Sequence, residues 1–194
     1  MPINEIKLAL ENMDKGFCML STIDYAQISE EVREICMEEK YLERPFAYEF
    51  YHQLRKLMER GEIDFGGRII QAEVDKTYQH CFEVGKIPDF IIHTPNLTTR
   101  NLAVIEFKIS SNLYNIPNDF NKLVEFKTNP SLCYSNVFEV IIGDQGSLER
   151  ARRYSGGFAS AEGEEIVIIE FDVDSWKANE YRISYRPITA VTVD

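Results

Sequence analysis

Between Pro45 and Arg60 the apolar residues Phe46, Phe50, Leu54 and Leu57 recur every three or four positions. That spacing predicts an amphipathic helix over residues 45–60 with one buried stripe. Pro45 suits its first turn, where the missing N–H would have no helical partner anyway. Upstream, two more helices are predicted over residues 3–13 and 29–41, with Asp14-Lys15-Gly16 as a break and Ser29 as a cap. After the turn signals at Gly61 and Gly66-Gly67 the pattern changes character. Residues 68–74, 89–93 and 102–109 are dense in aliphatic side chains and read as strands. Asn115 to Asn118, with Pro117, introduces a helix over 119–126 whose apolar face is Phe120, Leu123 and Val124, and on which Asp119 can pair with Lys122. A buried strand over 137–142, a helix from Ser147 to Tyr154 ended by Gly156-Gly157, and strands over 165–173 and 181–185 forming a hairpin around 175–179 complete the pattern.

The strand at 102–109 breaks its own rule. An acid and a base, Glu106 and Lys108, interrupt its aliphatic run two positions apart. A period of two puts both on one face, while Ile105, Phe107 and Ile109 point the other way into a core. Alone, this pair would equally suit a salt-bridged stripe on an edge strand. Two other acids change its meaning. Asp89 follows Pro88 at the start of the preceding strand, and Glu49 sits beside the buried stripe of the 45–60 helix, where a carboxylate needs a partner.

With Glu49 in the first helix, Pro88-Asp89 at the second strand and Glu106-Phe107-Lys108 in the third, the order helix, three strands, helix, strand resembles the PD-(D/E)xK nuclease superfamily. That superfamily includes type II restriction enzymes and many repair and defence nucleases. The resemblance covers about residues 45–160. It implies an α/β fold of restriction-endonuclease-like architecture, a mixed central sheet flanked by helices, whose two middle strands diverge to set Asp89 against Glu106. The N-terminal helices and the C-terminal hairpin lie outside the resemblance, and the domain as a whole is expected over residues 43–194. Residues 1–42 would form a helical N-terminal extension packed on the core, and a C-terminal β-hairpin would close the chain.

The same resemblance implies a Mg²⁺-dependent nuclease acting on nucleic acid, DNA before RNA as the expected substrate, in a restriction, defence or repair setting. Asp89, Glu106 and the main-chain carbonyl of Phe107 would be metal ligands, and Mn²⁺ can substitute for Mg²⁺. Hard oxygen donors of this kind suit Mg²⁺, which keeps several waters and binds phosphate oxygens alongside one or two carboxylates. Lys108 would orient or deprotonate the attacking water and contact the scissile phosphate. Glu49 would act through water, hold a second ion or fix Lys108. Lys122, Arg150 and Arg153 are candidates for phosphate contact, although helix cations balanced by acids such as Glu149 would look the same.

Composition qualifies this picture. With 21 basic and 32 acidic residues the formal charge is -11, which argues against coating nucleic acid by bulk electrostatics. A local groove is still compatible, because a cation held by carboxylates turns positive charge toward phosphate. The acidic balance keeps an alternative open: a noncatalytic binding or assembly protein on a nuclease-like fold. A chain of 194 residues, 44% hydrophobic, can bury a core as one domain. No stretch approaches the roughly 20 apolar residues of a membrane span and no secretory leader is evident, so cytoplasmic residence without a membrane is expected. Double-strand cleavage needs two sites, which points to a homodimer or a protein partner.

The remaining reactive residues carry weaker signals. Cys18, Cys36, Cys81 and Cys133 are scattered, as reduced structural thiols are, and His52, His80 and His93 lack ligand spacing. His93 shares the Asp89 face of its strand. Glu73 is a candidate extra site carboxylate, whereas Glu170 and Asp172 suit a solvated edge-strand face.

Overall fold

A computed structural model describes residues 2–18, 41–74, 86–95, 97, 101–132, 134–157 and 163–187. Six strands form one mixed sheet in chain order: β1 (Ile69–Ala72), β2 (Phe90–His93), β3 (Ala103–Ile109), β4 (Asn136–Gly143), β5 (Glu164–Asp172) and β6 (Lys177–Tyr185). β1, β2 and β3 are antiparallel neighbours, β3, β4 and β5 are parallel, and β6 returns antiparallel to β5. The numbering of helices follows the described elements: α1 (Ile3–Glu11), α2 (Lys15–Cys18), α3 (Glu43–Glu59), α4 (Ile116–Thr128) and α5 (Ser147–Tyr154).

Parallel neighbours need crossovers, and α4 and α5 supply them. Both lie on one face of the sheet, as successive right-handed crossovers moving in one direction require. There Phe120, Leu123 and Ala151 share a core with Val104, Val137, Ile141, Ile166 and Ile168. The opposite face is covered by α1, α2 and α3. Its core joins Ile6, Leu10, Phe46, Phe50 and Leu54 to Phe90, Ile105, Phe107, Phe138 and Val140. Phe50 lies 5.1 Å from Phe107 and 5.6 Å from Phe90 between ring centroids, so the α3 stripe seats on β2 and β3 through aromatic packing. The N-terminal segment is also tied to the far edge of the sheet, where Trp176 Nε1 donates to the Met13 carbonyl at 3.0 Å.

Several boundaries differ from the expected ones for local reasons. α3 begins at Glu43, two residues before Pro45, which still falls within the first turn. α4 runs from Ile116 to Thr128, with Pro117 in its first turn. Ser147 is the first helical residue of α5 rather than its cap; Gly146, at φ 106°, takes the cap position, and the Ser147 hydroxyl donates to the Asp144 carbonyl at 2.9 Å. At the other end, Gly157 N–H donates to the Arg152 carbonyl and Gly156 N–H to that of Arg153, a Schellman closure. β6 pairs with β5 along nine positions, so the hairpin turn lies at 173–176, earlier than 175–179. The predicted helix over 29–41 and its Ser29 cap lie almost wholly outside the described residues.

One close approach shapes the sheet end nearest α5. A Cβ on Gly143 would stand 2.3 Å from Ser147 Oγ and 2.4 Å from Ser110 Cβ, so only glycine lets β4 finish against the 3₁₀ turn Ser110–Asn115 and α5. Among the described residues, no helix is long and apolar enough to cross a membrane.

Candidate functional site

The pairing of β2 with β3 stops halfway along β3. Its last partners are Phe90 and Ile105, and one further step in the same register sets Asp89 opposite Glu106. Beyond that point side chains, not β2 backbone, meet the β3 edge. Asp89 Oδ2 accepts the Phe107 N–H at 2.7 Å, and Glu43 Oε2 accepts the Ile109 N–H at 3.2 Å. A strand residue turns its N–H and C=O to the same edge, so the Phe107 carbonyl opens between these two carboxylates.

Glu106 and Lys108 do share a face, and that face is covered. It lies under α4, and the two residues are 2% and 9% exposed. Lys108 Nζ pairs with Asp119 Oδ2 at 2.9 Å. Lys122 Nζ pairs with Glu106 Oε2 at 2.6 Å, with longer approaches to the Ile87 carbonyl at 3.4 Å and Asp119 Oδ1 at 3.9 Å. Directly beside Glu106 in the parallel ladder stands Glu139, 0% exposed, with neither carboxylate oxygen hydrogen-bonded. Among the described residues, Glu106 Oε1 has no hydrogen-bond partner either.

Burial and mutual repulsion govern the titration of this cluster. Burial first, then the Asp89 charge, push Glu106 well above the usual carboxylate range, against the opposing pull of Lys122. Glu139 is raised well above it by burial, then by Asp119 and Glu106. Burial also raises Asp89, while the Phe107 N–H and Lys122 partly offset it. For Lys108, burial works against the charged form, but Asp119, Glu43 and Glu139 outweigh it and hold the ammonium above its ordinary range. Lys108 is therefore a cation in this arrangement. The role of proton acceptor does not fit it while Asp119 is its partner.

Asp89 also reaches solvent-facing ground. Glu43, Arg44, Ala47, Tyr48, Ala72, Glu73, Asp89 and Phe90 line a cleft of about 150 Å³. Glu73, the expected extra carboxylate, belongs to this cleft and has the left-handed backbone (φ 47°) rarely adopted outside glycine. Its N–H donates to the Asp89 carbonyl at 2.9 Å, continuing the β1–β2 ladder by one bond.

The structure does not bring Glu49 to this site. Its Oε1 accepts the Asp14 N–H at 3.1 Å and Gln53 Nε2 at 2.6 Å, so it fastens the α1–α2 connection to α3. Six residues of helix turn a side chain about 240° around the axis and carry it about 9 Å along, which separates Glu49 from Glu43. A helix expected to start at Pro45 leaves Glu43 outside it; an acid at a helix N-terminus, where the dipole favours it, is the sequence signal for this residue. Glu139 was hidden inside a run read only as a buried strand. A lone carboxylate in such a run was its signal.

Of the three cations expected at phosphate, Lys122 is drawn into the acid cluster, Arg150 pairs with Asp144 and with Ser147 Oγ, and Arg153 is exposed on α5. His93 is buried against Gln71 on β1, and His52 is exposed. Glu170 does not lie on a solvated edge: β5 is an interior strand, and the 4% exposed carboxylate accepts the Leu148 N–H at 2.9 Å at the start of α5. Asp172 accepts from Asp174 N–H and the Ser175 hydroxyl in the hairpin turn. Cys18 is buried, and burial, with Glu49 and Asp14 adding to it, pushes its thiol up to about 12. His80, Cys36, Cys81 and Cys133 lie outside the described residues.

For a divalent cation the donor chemistry is suitable: Asp89, Glu106 with its unpartnered Oε1, the Phe107 carbonyl and Glu43 are all hard oxygen donors. Among the described residues, no three acid, histidine or cysteine side chains are already gathered as a metal-binding group. Lys122 holds the other Glu106 oxygen, Oε2, and the Phe107 N–H holds Asp89 Oδ2. Comparison with protein-family models, curated proteins and solved structures gives no match, which leaves geometry and chemistry to carry the functional reading.

Proposed function

We propose that this chain is a Mg²⁺-dependent nuclease of restriction-endonuclease-like architecture, hydrolysing phosphodiester bonds in DNA. The observation supporting it is the place where β2 leaves β3: Asp89 stands opposite Glu106, the Phe107 carbonyl shares that edge, and Lys108 follows on the Glu106 face. Asp89, Glu106 and the Phe107 carbonyl would hold the ion, with Glu43 in the accessory place first assigned to Glu49. When bound, Mg²⁺ supplies acidification of a water and neutralisation of charge developing on phosphate oxygens.

The chain's own groups do the rest. Asp119 positions the Lys108 ammonium, which keeps its proton and stabilises negative charge on a phosphate oxygen. Arg44 and Tyr48 line the cleft beside Asp89, where a sugar-phosphate chain would enter, and Arg153 adds an exposed cation on α5. Action in the cytoplasm, in restriction, defence or repair, and a homodimer or protein partner supplying a second site belong to the same proposal.

A noncatalytic binding or assembly role on this fold is the second reading, favoured by the Lys122 ammonium already lying on Glu106. One assay separates the two. Purified protein is incubated with plasmid, single-stranded DNA and RNA, in Mg²⁺, Mn²⁺ or EDTA. Cleavage is expected with either metal and not with EDTA, and Lys108→Ala or Glu106→Ala is expected to reduce it by on the order of 10²–10³-fold. Undiminished cleavage in both variants would remove this active-site assignment. Absence of cleavage on every substrate would favour the noncatalytic reading.

A further inference from the structure

Under α4 the acids outnumber the cations. Among the described residues, Lys108 feels the charges of Asp119, Glu43 and Glu139, and Lys122 those of Glu106, Asp119 and Asp89. The shortage is visible in geometry too: among the described residues, Glu106 Oε1 and both oxygens of Glu139 are buried without a hydrogen-bond partner. The two lysines are placed differently. Lys108 is held by Asp119, from the helix above it. Lys122 is held chiefly by Glu106 Oε2, at 2.6 Å, and its side chain is 22% exposed, so it has a way out toward solvent.

We propose that Lys122 is a resident counter-cation of Glu106 that a divalent cation displaces, so that metal binding and release of the Lys122 ammonium are one event. The proposal rests on the metal-site reading above and adds to it a competitor supplied by the chain. A divalent cation on Glu106 Oε1 and the Lys122 ammonium on Oε2 of the same carboxylate would stand close enough for strong repulsion between the two cations. The ammonium, once free, lies on the same helix face as Asp119 and is available to a phosphate oxygen of the incoming strand. A lysine thus screens the buried acids before metal arrives and becomes a substrate contact afterwards.

Mn²⁺ binding to the full chain, measured by electron paramagnetic resonance, tests this without reference to cleavage. Lys122→Met is expected to bind Mn²⁺ about tenfold tighter than the parent, a factor at the low end of coupling between close charges, whereas Lys122→Arg keeps a competitor and stays near the parent affinity. Equal affinity in all three proteins overturns the displacement and leaves the metal site standing. No Mn²⁺ binding by any of them overturns the displacement together with the nuclease reading. Should Lys122→Met fail to fold, the parent protein carries the test: the ¹³Cε resonance of Lys122, assigned through Lys122→Arg, is expected to shift on adding Mg²⁺ and to stay still in Glu106→Gln. A Lys122 signal unmoved while Mg²⁺ saturates its site overturns the proposal.

Discussion

On one face of β3, Ile105 and Phe107 meet Phe50, Phe90 and Phe138 in a core of interlocking rings; on the other, Val104 leads directly into Glu106 and Lys108, with Glu139 alongside on β4. The backbone is shared and the burial is nearly equal, so the faces differ in chemistry alone. The aromatic face gains from area removed from water and from edge-to-face packing. The charged face has to take carboxylates out of water and returns only part of that cost through two ammonium groups. A rigid aromatic floor therefore holds in place a group of charges that would not assemble unaided, and the stability it contributes is what allows a strained site above it.

The largest break in this comparison is on the aromatic side. Phe107→Ala removes a ring that touches both Phe50 and Phe90, and is expected to lower the unfolding free energy by about 3–5 kcal/mol in a urea titration. A loss below about 1 kcal/mol would mean that this face does not support the site as described.

On the charged side the sign reverses. Glu139→Gln replaces a buried carboxyl whose raised titration makes it costly to hold as pH rises, and is expected to raise stability at pH 8 in EDTA. Its pH dependence follows from the raised titration of Glu106 and Glu139. A carboxyl whose folded value is raised above the ordinary 4.5 stabilises the fold fully below that value and loses its contribution as pH climbs through the folded value. The parent protein should therefore lose stability from pH 4.5 toward pH 8, and Glu139→Gln should lose less. The lowered Asp144 and Asp172 give up their contribution only as pH falls below 3.8, and the raised Lys108 and Lys122 only above 10.5, so neither group disturbs that window. A parallel decline in parent and variant would show that Glu139 takes no part in it.

Periodicity made the strands and long helices legible, because burial on one stripe or one face leaves a repeat in the chain. Phe46, Phe50, Leu54 and Leu57 all enter the core as their spacing demands. The alternation in β3 likewise gave the common face of Glu106 and Lys108. Period alone could not say that this face is roofed by α4, since an acid and a base two apart look the same on an open edge. Nor could it locate the last turn of reach: Asp119 on Lys108 and Lys122 on Glu106 are contacts between elements 11 and 16 residues apart in the chain, set by how α4 crosses the sheet.

The finest version of the comparison lies within a single helix. Glu43 and Glu49 are both acids of α3, yet Glu43 meets the Ile109 N–H at the charged edge of β3, and Glu49 meets Asp14 and Gln53 beside the N-terminal helices. Glu49→Gln is expected to cost about 0.5–1.5 kcal/mol in urea unfolding, because an amide accepts the Asp14 and Gln53 hydrogen bonds less strongly than a carboxylate. It should leave Mn²⁺ affinity where it was. Glu43→Gln should do the opposite, weakening Mn²⁺ binding while changing stability by no more than about 0.5 kcal/mol, since Glu43 lies in the solvent-facing cleft and its amide can still accept from Ile109. If Mn²⁺ affinity falls in Glu49→Gln and holds in Glu43→Gln, the accessory carboxylate returns to Glu49 and the first turn of α3 serves only to finish the edge of β3.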